Sequence, residues 1–409
     1  MRSSLSRWLQ VSLINLLLVS IIGVILRYKI AFSLPFIDQK HLLHGHSHFA
    51  FTGWVTHTLM VFLIQYLSHQ SGVDMFRKYR GLVWANLLTA YGMLLWFPIQ
   101  GYGGWSISFS TLSIIVSYIF TIVYWKDLNR LRENRISHQW FKAALLLNVL
   151  SSLGAFALAF MMATHTVHQN WYLAAVYFFL HFQYNGWFFF AAMGLLTARM
   201  EHITALRPVL QTIFRLFAFA SIPAYLLSAL WLPMHVSVYV LVIMAALAQT
   251  AGWWIFIRLC YLNRTTLQEI FPKNISWLLI LAALATTIKI LLQLGSTIPS
   301  LSQLAFGFRP IVIGYLHLVL LGMFSIFLIA YTVALQQLPV NKMLVNGIRW
   351  FVAGVIINEC ALMLQGTAAL SYQSIPYINE SLLLIACLLF AGILTMNIGF
   401  RKIKPESIP

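Results

Sequence analysis

Long apolar stretches of about 20 residues, separated by short polar segments, recur along the whole sequence. A helix of this length crosses a hydrocarbon core of about 30 Å. The twelve stretches cover residues 8–28, 44–67, 80–99, 104–125, 140–162, 171–197, 210–231, 235–258, 275–296, 309–336, 347–368 and 380–400. The pattern therefore predicts an all-α polytopic membrane helix bundle, with residues 1–409 forming a single transmembrane domain.

The composition supports this prediction. Of the 409 residues, 60% are hydrophobic and 9% are charged. A water-soluble protein could not bury so much apolar surface, so the chain is expected in a lipid bilayer. The twelve spans leave no room for a separate soluble domain.

The net charge of +17 is distributed unevenly. Lysine and arginine gather in every second loop, as at residues 77–80 and 126–135, whereas loops such as 101–104 and 164–170 carry almost none. By the positive-inside rule this predicts an inner-membrane protein with both termini cytoplasmic. The exception is the first outer loop, where Arg27, Lys29 and Lys40 accompany Asp38. A basic cytoplasmic face explains the charge, so nucleic acid is not an expected partner.

Four histidines open the second span. The segment HLLHGHSHFAFTGW, residues 41–54, contains His41, His44, His46 and His48. At 100° per residue, the first, second and fourth share one helix face and His46 points away from them. One face thus presents a choice of metal or cofactor ligands.

Two further histidines lie deep in apolar sequence, His181 in the sixth span and His317 in the tenth. Both spans are predicted to enter from outside, so His317 and the His44/His48 face lie at similar depth. A buried imidazole needs a partner for each nitrogen, and this makes an intramembrane histidine a candidate functional group. The alternative for each residue is a structural hydrogen bond to a neighbouring hydroxyl or carbonyl.

The surrounding residues favour haem over a metal ion alone. Zinc or a transported divalent ion normally has carboxylate or thiolate ligands as well, and Glu359 is the one deep acid. Two imidazoles on different helices, within walls rich in Phe, Trp, Leu and Met, suit a haem b with one axial nitrogen from each side. Arg309, at the outer start of the tenth span, could then pair with the haem propionates.

The placement of these histidines resembles the haem-copper oxidase subunit I superfamily. HLLHGHSHFAF looks like its second-span motif, YLHLVLLGMF its tenth-span motif, and HFQYNGW the sixth-span stretch that holds a non-haem metal, especially in nitric oxide reductases. The resemblance implies His317 and either His44 or His48 as haem ligands, His181 as a copper ligand, and electron transfer to oxygen or nitric oxide. The resemblance extends over the whole chain, but the motifs that carry it are short.

Departures from the family pattern affect the second metal. Tyr315 stands where the family has the histidine of its high-spin haem, and the seventh-span His-His pair is reduced to His235. Asn185 replaces the Tyr or Glu that often follows the sixth-span histidine by four residues. The resemblance therefore implies an incomplete second site near His181, Tyr315 and His235, although tyrosine can itself ligate haem.

A second resemblance is to the NnrS family of haem- and copper-carrying membrane proteins linked to nitric oxide stress. Its second-span HxH followed by glycine is similar to His46, His48 and Gly53, and its His-x4-Gly is similar to His317 and Gly322. This resemblance makes His46 a candidate metal ligand. This second resemblance implies that the chain belongs to the same broad clan as the haem-copper oxidases but functions outside respiration.

Two other functions remain open at this point. One is a non-redox transporter or metal-handling protein that captures copper with the outer histidine cluster. The other is a haem-loaded sensor or assembly factor without turnover. A redox function would need an electron-donor subunit or cytochrome as partner, because the chain has no CxxCH motif and no soluble copper domain.

Overall fold

The computed structural model describes residues 2–131, 133, 135–166, 168–271, 273–301, 308–336 and 341–401. These residues form helices joined by short turns, with no β-strand among them. The all-α fold is therefore confirmed. The labels used below are α1 Arg2–Ala31, α2 Gln39–Ser71, α3 Phe76–Gln100, α4 Gly104–Arg130, α5 Ile136–Ala163, α6 169–200, α7 204–229, α8 Val236–Leu262, α9 Lys273–Gly295, α10 309–336, α11 Lys342–Leu370 and α12 Ile378–Arg401.

Ten of these helices are long and apolar enough to cross a membrane. An eleventh span results if α7 counts as one, because its two parts, Thr204–Ser221 and Pro223–Ala229, meet at a 51° bend. The predicted sixth span is also helical, as Gln169–His181, Phe182–Phe188 and Phe189–Met200. It is not among the ten or eleven membrane-spanning helices, and its middle contains polar residues of the HFQYNGW segment. The chain is thus a multi-pass membrane protein.

Local sequence sets several helix ends. The carboxylate of Asp38 accepts a hydrogen bond from the backbone N–H of His41 at 2.8 Å and begins α2 as an N-cap. This bond lowers the pKa of the Asp38 carboxyl. Gly72 ends α2 with a φ of 71°, a left-handed conformation that glycine adopts without strain.

The chain divides into two compact units, residues 1–120 with 324–409 and residues 121–323. In the first unit, α11 and α12 pack through glycines. A Cβ on Gly347 would lie 2.4 Å from the backbone nitrogen of Met396, and one on Gly392 would lie 2.5 Å from that of Phe351. Small residues of this kind let membrane helices approach closely.

The second unit contains the end of α4 from Thr121, α5 to α9, and α10 up to Met323. Its α5 and α6 also pack closely, since a Cβ on Gly154 would lie 2.6 Å from the backbone oxygen of Ala175. At the other end of α5, the buried Glu201 carboxylate accepts hydrogen bonds from the Ser137 hydroxyl at 2.6 Å and the Ser137 N–H at 3.1 Å. The helix that carries His181, α6, is therefore held by packing within this unit.

Candidate functional site

Three of the candidate histidines share a local structure. Each begins a His-x4-Gly segment, as His48 to Gly53, His181 to Gly186 and His317 to Gly322. The helix becomes π-helical directly after His181 and His317, and one residue later after His48. The π-helical segments are Ala50–Thr56, Phe182–Phe188 and Leu318–Ser325. π-Helical turns are rare and occur frequently at functional sites.

The three segments lie in α2, α6 and α10, every fourth of the helices labelled above. In two of the segments, those of α2 and α10, the helix becomes buried just after the histidine. No residue of Arg309–His317 is buried, whereas most of the residues that follow in α10 are. In α2, His44, His46 and His48 are half-buried, and most residues from Phe49 to Ser68 are buried. The His-x4-Gly spacing that marks α2 and α10 in the sequence thus occurs a third time, in α6.

Polar side chains stabilise the π-helical turn of α2. Asn15, fully buried on α1, donates from Nδ2 to the Gly53 carbonyl at 2.6 Å and accepts at Oδ1 from the Tyr91 hydroxyl at 2.7 Å. Asn86 donates to the Thr52 carbonyl at 3.3 Å. Backbone polar groups in a membrane must be satisfied internally, so these bonds allow an irregular turn at this depth.

The histidine cluster of α2 presents the two faces predicted from its spacing. The His48 ring stacks on Phe97 of α3, with ring centroids 4.3 Å apart, and the His44 ring lies 4.7 Å from that of Tyr102. His46 points elsewhere, toward α1, where its Cε1 would lie 3.5 Å from a Cβ on Gly23. The shared face of His44 and His48 is therefore confirmed.

His44 has an unsatisfied ring nitrogen. Its Nε2 is buried and has no hydrogen-bond partner among the described residues. A buried polar atom without a partner costs about 1–3 kcal/mol, and native structures rarely retain one without a reason. The donor type and its aromatic surroundings fit an axial haem ligand.

His317 has the tautomer that iron ligation requires. Its Nδ1 lies 2.8 Å from the Ile313 carbonyl, and because a carbonyl can only accept, Nδ1 carries the proton. The lone pair is then on Nε2. Metal-ligating histidines usually have this arrangement, in which the second nitrogen donates to a carbonyl that fixes the ring.

Within the first unit, α2 and the inner part of α10 are neighbours. The Trp54 indole donates from Nε1 to the Ser325 hydroxyl at 2.9 Å in a buried contact, and the Phe62 and Tyr331 rings are 4.9 Å apart. The residue numbers rise together in both contacts, so the two helices run in the same direction. In α10, His317 precedes Ser325 by eight residues, and in α2, His48 precedes Trp54 by six.

His181 has a structural role in the second unit. It is almost fully buried, its Nε2 lies 2.9 Å from the Ser221 carbonyl, and Asn185 Nδ2 lies 3.1 Å from its Nδ1. Ser221 ends the first part of α7 just before Pro223, where the bend interrupts the helix. The imidazole therefore satisfies a carbonyl at this break, and both of its nitrogens are engaged.

The remaining candidate site residues either contact other protein groups or are exposed. His235 caps α8, accepting at Nδ1 from the Ser237 N–H at 3.3 Å. The Tyr315 ring packs edge-on against that of Tyr184, with the ring centroids 6.4 Å apart. Arg309 is exposed at the start of α10.

These positions do not fit a copper site. In the described part of the chain, no three His, Cys, Asp or Glu side chains are grouped so that they could hold a metal ion. Copper at His181 would also have to displace the hydrogen bond to Ser221 or to Asn185. No known protein family model matches the chain, and no curated protein matches it either. Functional inference therefore depends on the residues themselves.

Proposed function

We propose that this protein binds one haem b between α2 and α10, with His317 as one axial ligand and His44 as the other. The observation that carries the proposal is the Trp54–Ser325 hydrogen bond, which makes α2 and α10 parallel neighbours. At a rise of 1.5 Å per residue, His317 lies about 12 Å along its helix from Ser325. His44 and His48 lie about 15 and 9 Å from Trp54 in the same direction. Each candidate ligand thus precedes the contact residue of its own helix by about two to three helical turns.

The surrounding residues support this assignment. His44 contributes a buried Nε2 without a partner, and His317 a tautomer fixed by the Ile313 carbonyl. Phe97 and Tyr102 line the His44 face. We choose His44 over His48 because the His44 Nε2 is a buried ring nitrogen without a hydrogen-bond partner among the described residues. When bound, the haem would supply one-electron redox chemistry.

The residues favour electron transfer or sensing over oxygen reduction at a binuclear centre. Such a centre needs a second metal beside an open haem position, and the nitrogens of His181 bond to protein groups instead. The electron donor would be a separate subunit or cytochrome. Oxygen or nitric oxide as acceptor is the expectation from the resemblance to haem-copper oxidases and NnrS.

A reduced-minus-oxidised absorption spectrum of the purified protein tests this function. We expect a sharp low-spin haem b band with about one haem per chain, because two imidazoles give a six-coordinate iron. A colourless protein that retained copper through the α2 histidines would contradict the proposal. That result would favour the metal-handling function.

A further inference from the structure

Lys289 is a buried lysine in α9. Its side chain is 5% exposed, and it forms no hydrogen bond or ion pair with any residue that the structure describes. It lies about 24 Å along the helix from Lys273, at the predicted cytoplasmic end. The four acids of this unit, Asp127, Glu133, Glu201 and Glu269, all belong to the cytoplasmic ends of helices or to the loops there.

Lys289 and His317 lie at the same depth of the second unit. A Cβ on Gly322 would lie 3.3 Å from the Ala285 Cβ, so α9 and α10 are packed together at this level. The two helices run in opposite directions. Lys289 follows Ala285 by four residues and His317 precedes Gly322 by five, so the two side chains reach almost the same level. Lys289 also shares a helix face with Ala285, one turn away.

Polar groups near Lys289 lie on its own helix face and on α6. Gln293 follows one turn later, is 7% exposed, and has a buried Oε1 without a partner in the described chain. His181 lies within electrostatic range of the lysine. An ammonium without a counter-ion in a membrane is costly, so such a residue is expected to have a function.

We propose that Lys289 sets the reduction potential of the haem ligated by His317, a role that rests on the proposed function. One-electron reduction by an external donor changes the iron from ferric to ferrous, and the charge of the bis-imidazole haem core falls from +1 to 0 with no bond formed or broken. A cation held nearby in a medium of low dielectric constant disfavours the +1 state. Lys289 therefore stabilises the ferrous form and raises the potential.

The test is a redox titration of the purified holoprotein with chemical mediators. In Lys289→Met, which removes the charge but keeps a similar side-chain length, we expect the equilibrium constant for reduction to fall at least tenfold. For one electron this is a 59 mV decrease in midpoint potential. Lys289→Arg should stay close to wild type, because the charge remains.

Arg258→Met is the matched control, since this cation is exposed on α8 and is not among the candidate haem-site residues. Solvent screens an exposed charge, so its removal should change the equilibrium constant less than threefold. If Lys289→Met does not accumulate, Lys289→Gln provides the same comparison with a polar side chain.

The outcomes separate the two proposals. An unchanged midpoint in the neutral variants, with haem present, would overturn the role of Lys289 and leave the haem site intact. An equal decrease in the Arg258 variant would also overturn it, because a buried position would then have no special effect. A wild-type protein without haem would overturn the proposed function and this inference together.

Discussion

His317→Ala is expected to lose the low-spin haem spectrum, with haem content per chain reduced at least tenfold. The substitution removes the Nε2 ligand that the Ile313 carbonyl holds in its ligating tautomer. His317 is half-buried, so its truncation leaves only a small cavity and the helix should persist. Haem content is measured as the pyridine haemochrome against protein concentration, and circular dichroism reports the helix content.

His235→Ala is the control for this experiment. His235 is exposed and caps α8, so its loss should cost about 1 kcal/mol of stability and leave the haem spectrum unchanged. Equal haem loss in both variants would indicate a general folding defect. Retention of the full low-spin spectrum in His317→Ala would exclude His317 as an iron ligand.

His181→Ala is expected to have the opposite effect, a large loss of stability with haem retained in the folded fraction. It leaves the Ser221 carbonyl and the Asn185 amide without their partner and creates a cavity at a fully packed site. Unsatisfied buried groups and a cavity together cost about 3–5 kcal/mol. Thermal unfolding in detergent, followed by intrinsic fluorescence, measures the loss.

His168→Ala provides the comparison, because this outer-loop histidine is exposed and forms no side-chain cap on α6. Its melting temperature should be close to that of wild type. If His181→Ala instead kept its stability but lost bound metal or haem, His181 would be a ligand and its hydrogen bonds would be incidental.

The sequence was sufficient for the fold class and for the faces of the α2 histidines. Apolar runs of membrane-spanning length and the 3.6-residue period depend only on local sequence, and the separation of His46 from His44 and His48 follows from that period. The polar middle of α6 and the bend of α7 before Pro223 are the two places where span counts from sequence and structure differ.

The hydrogen bonds that decide the role of each histidine depended on tertiary structure. Nothing in the local sequence indicates that the carbonyl at the α7 bend lies beside His181, 40 residues earlier. The same holds for the bond from Asn15 to the Gly53 carbonyl, which stabilises a π-helical turn that helix periodicity does not anticipate. Sequence motifs located the candidate ligands, and long-range contacts distinguished them.

The most direct test of the central claim is the electron paramagnetic resonance spectrum of the oxidised protein. Two imidazole ligands give a low-spin ferric haem, so we expect a rhombic low-spin signal that accounts for about one spin per chain. In His44→Ala and His317→Ala this signal should disappear, and His48→Ala should keep it. A high-spin signal in the wild type, or no haem signal at all, would contradict a haem held between α2 and α10 by two histidines.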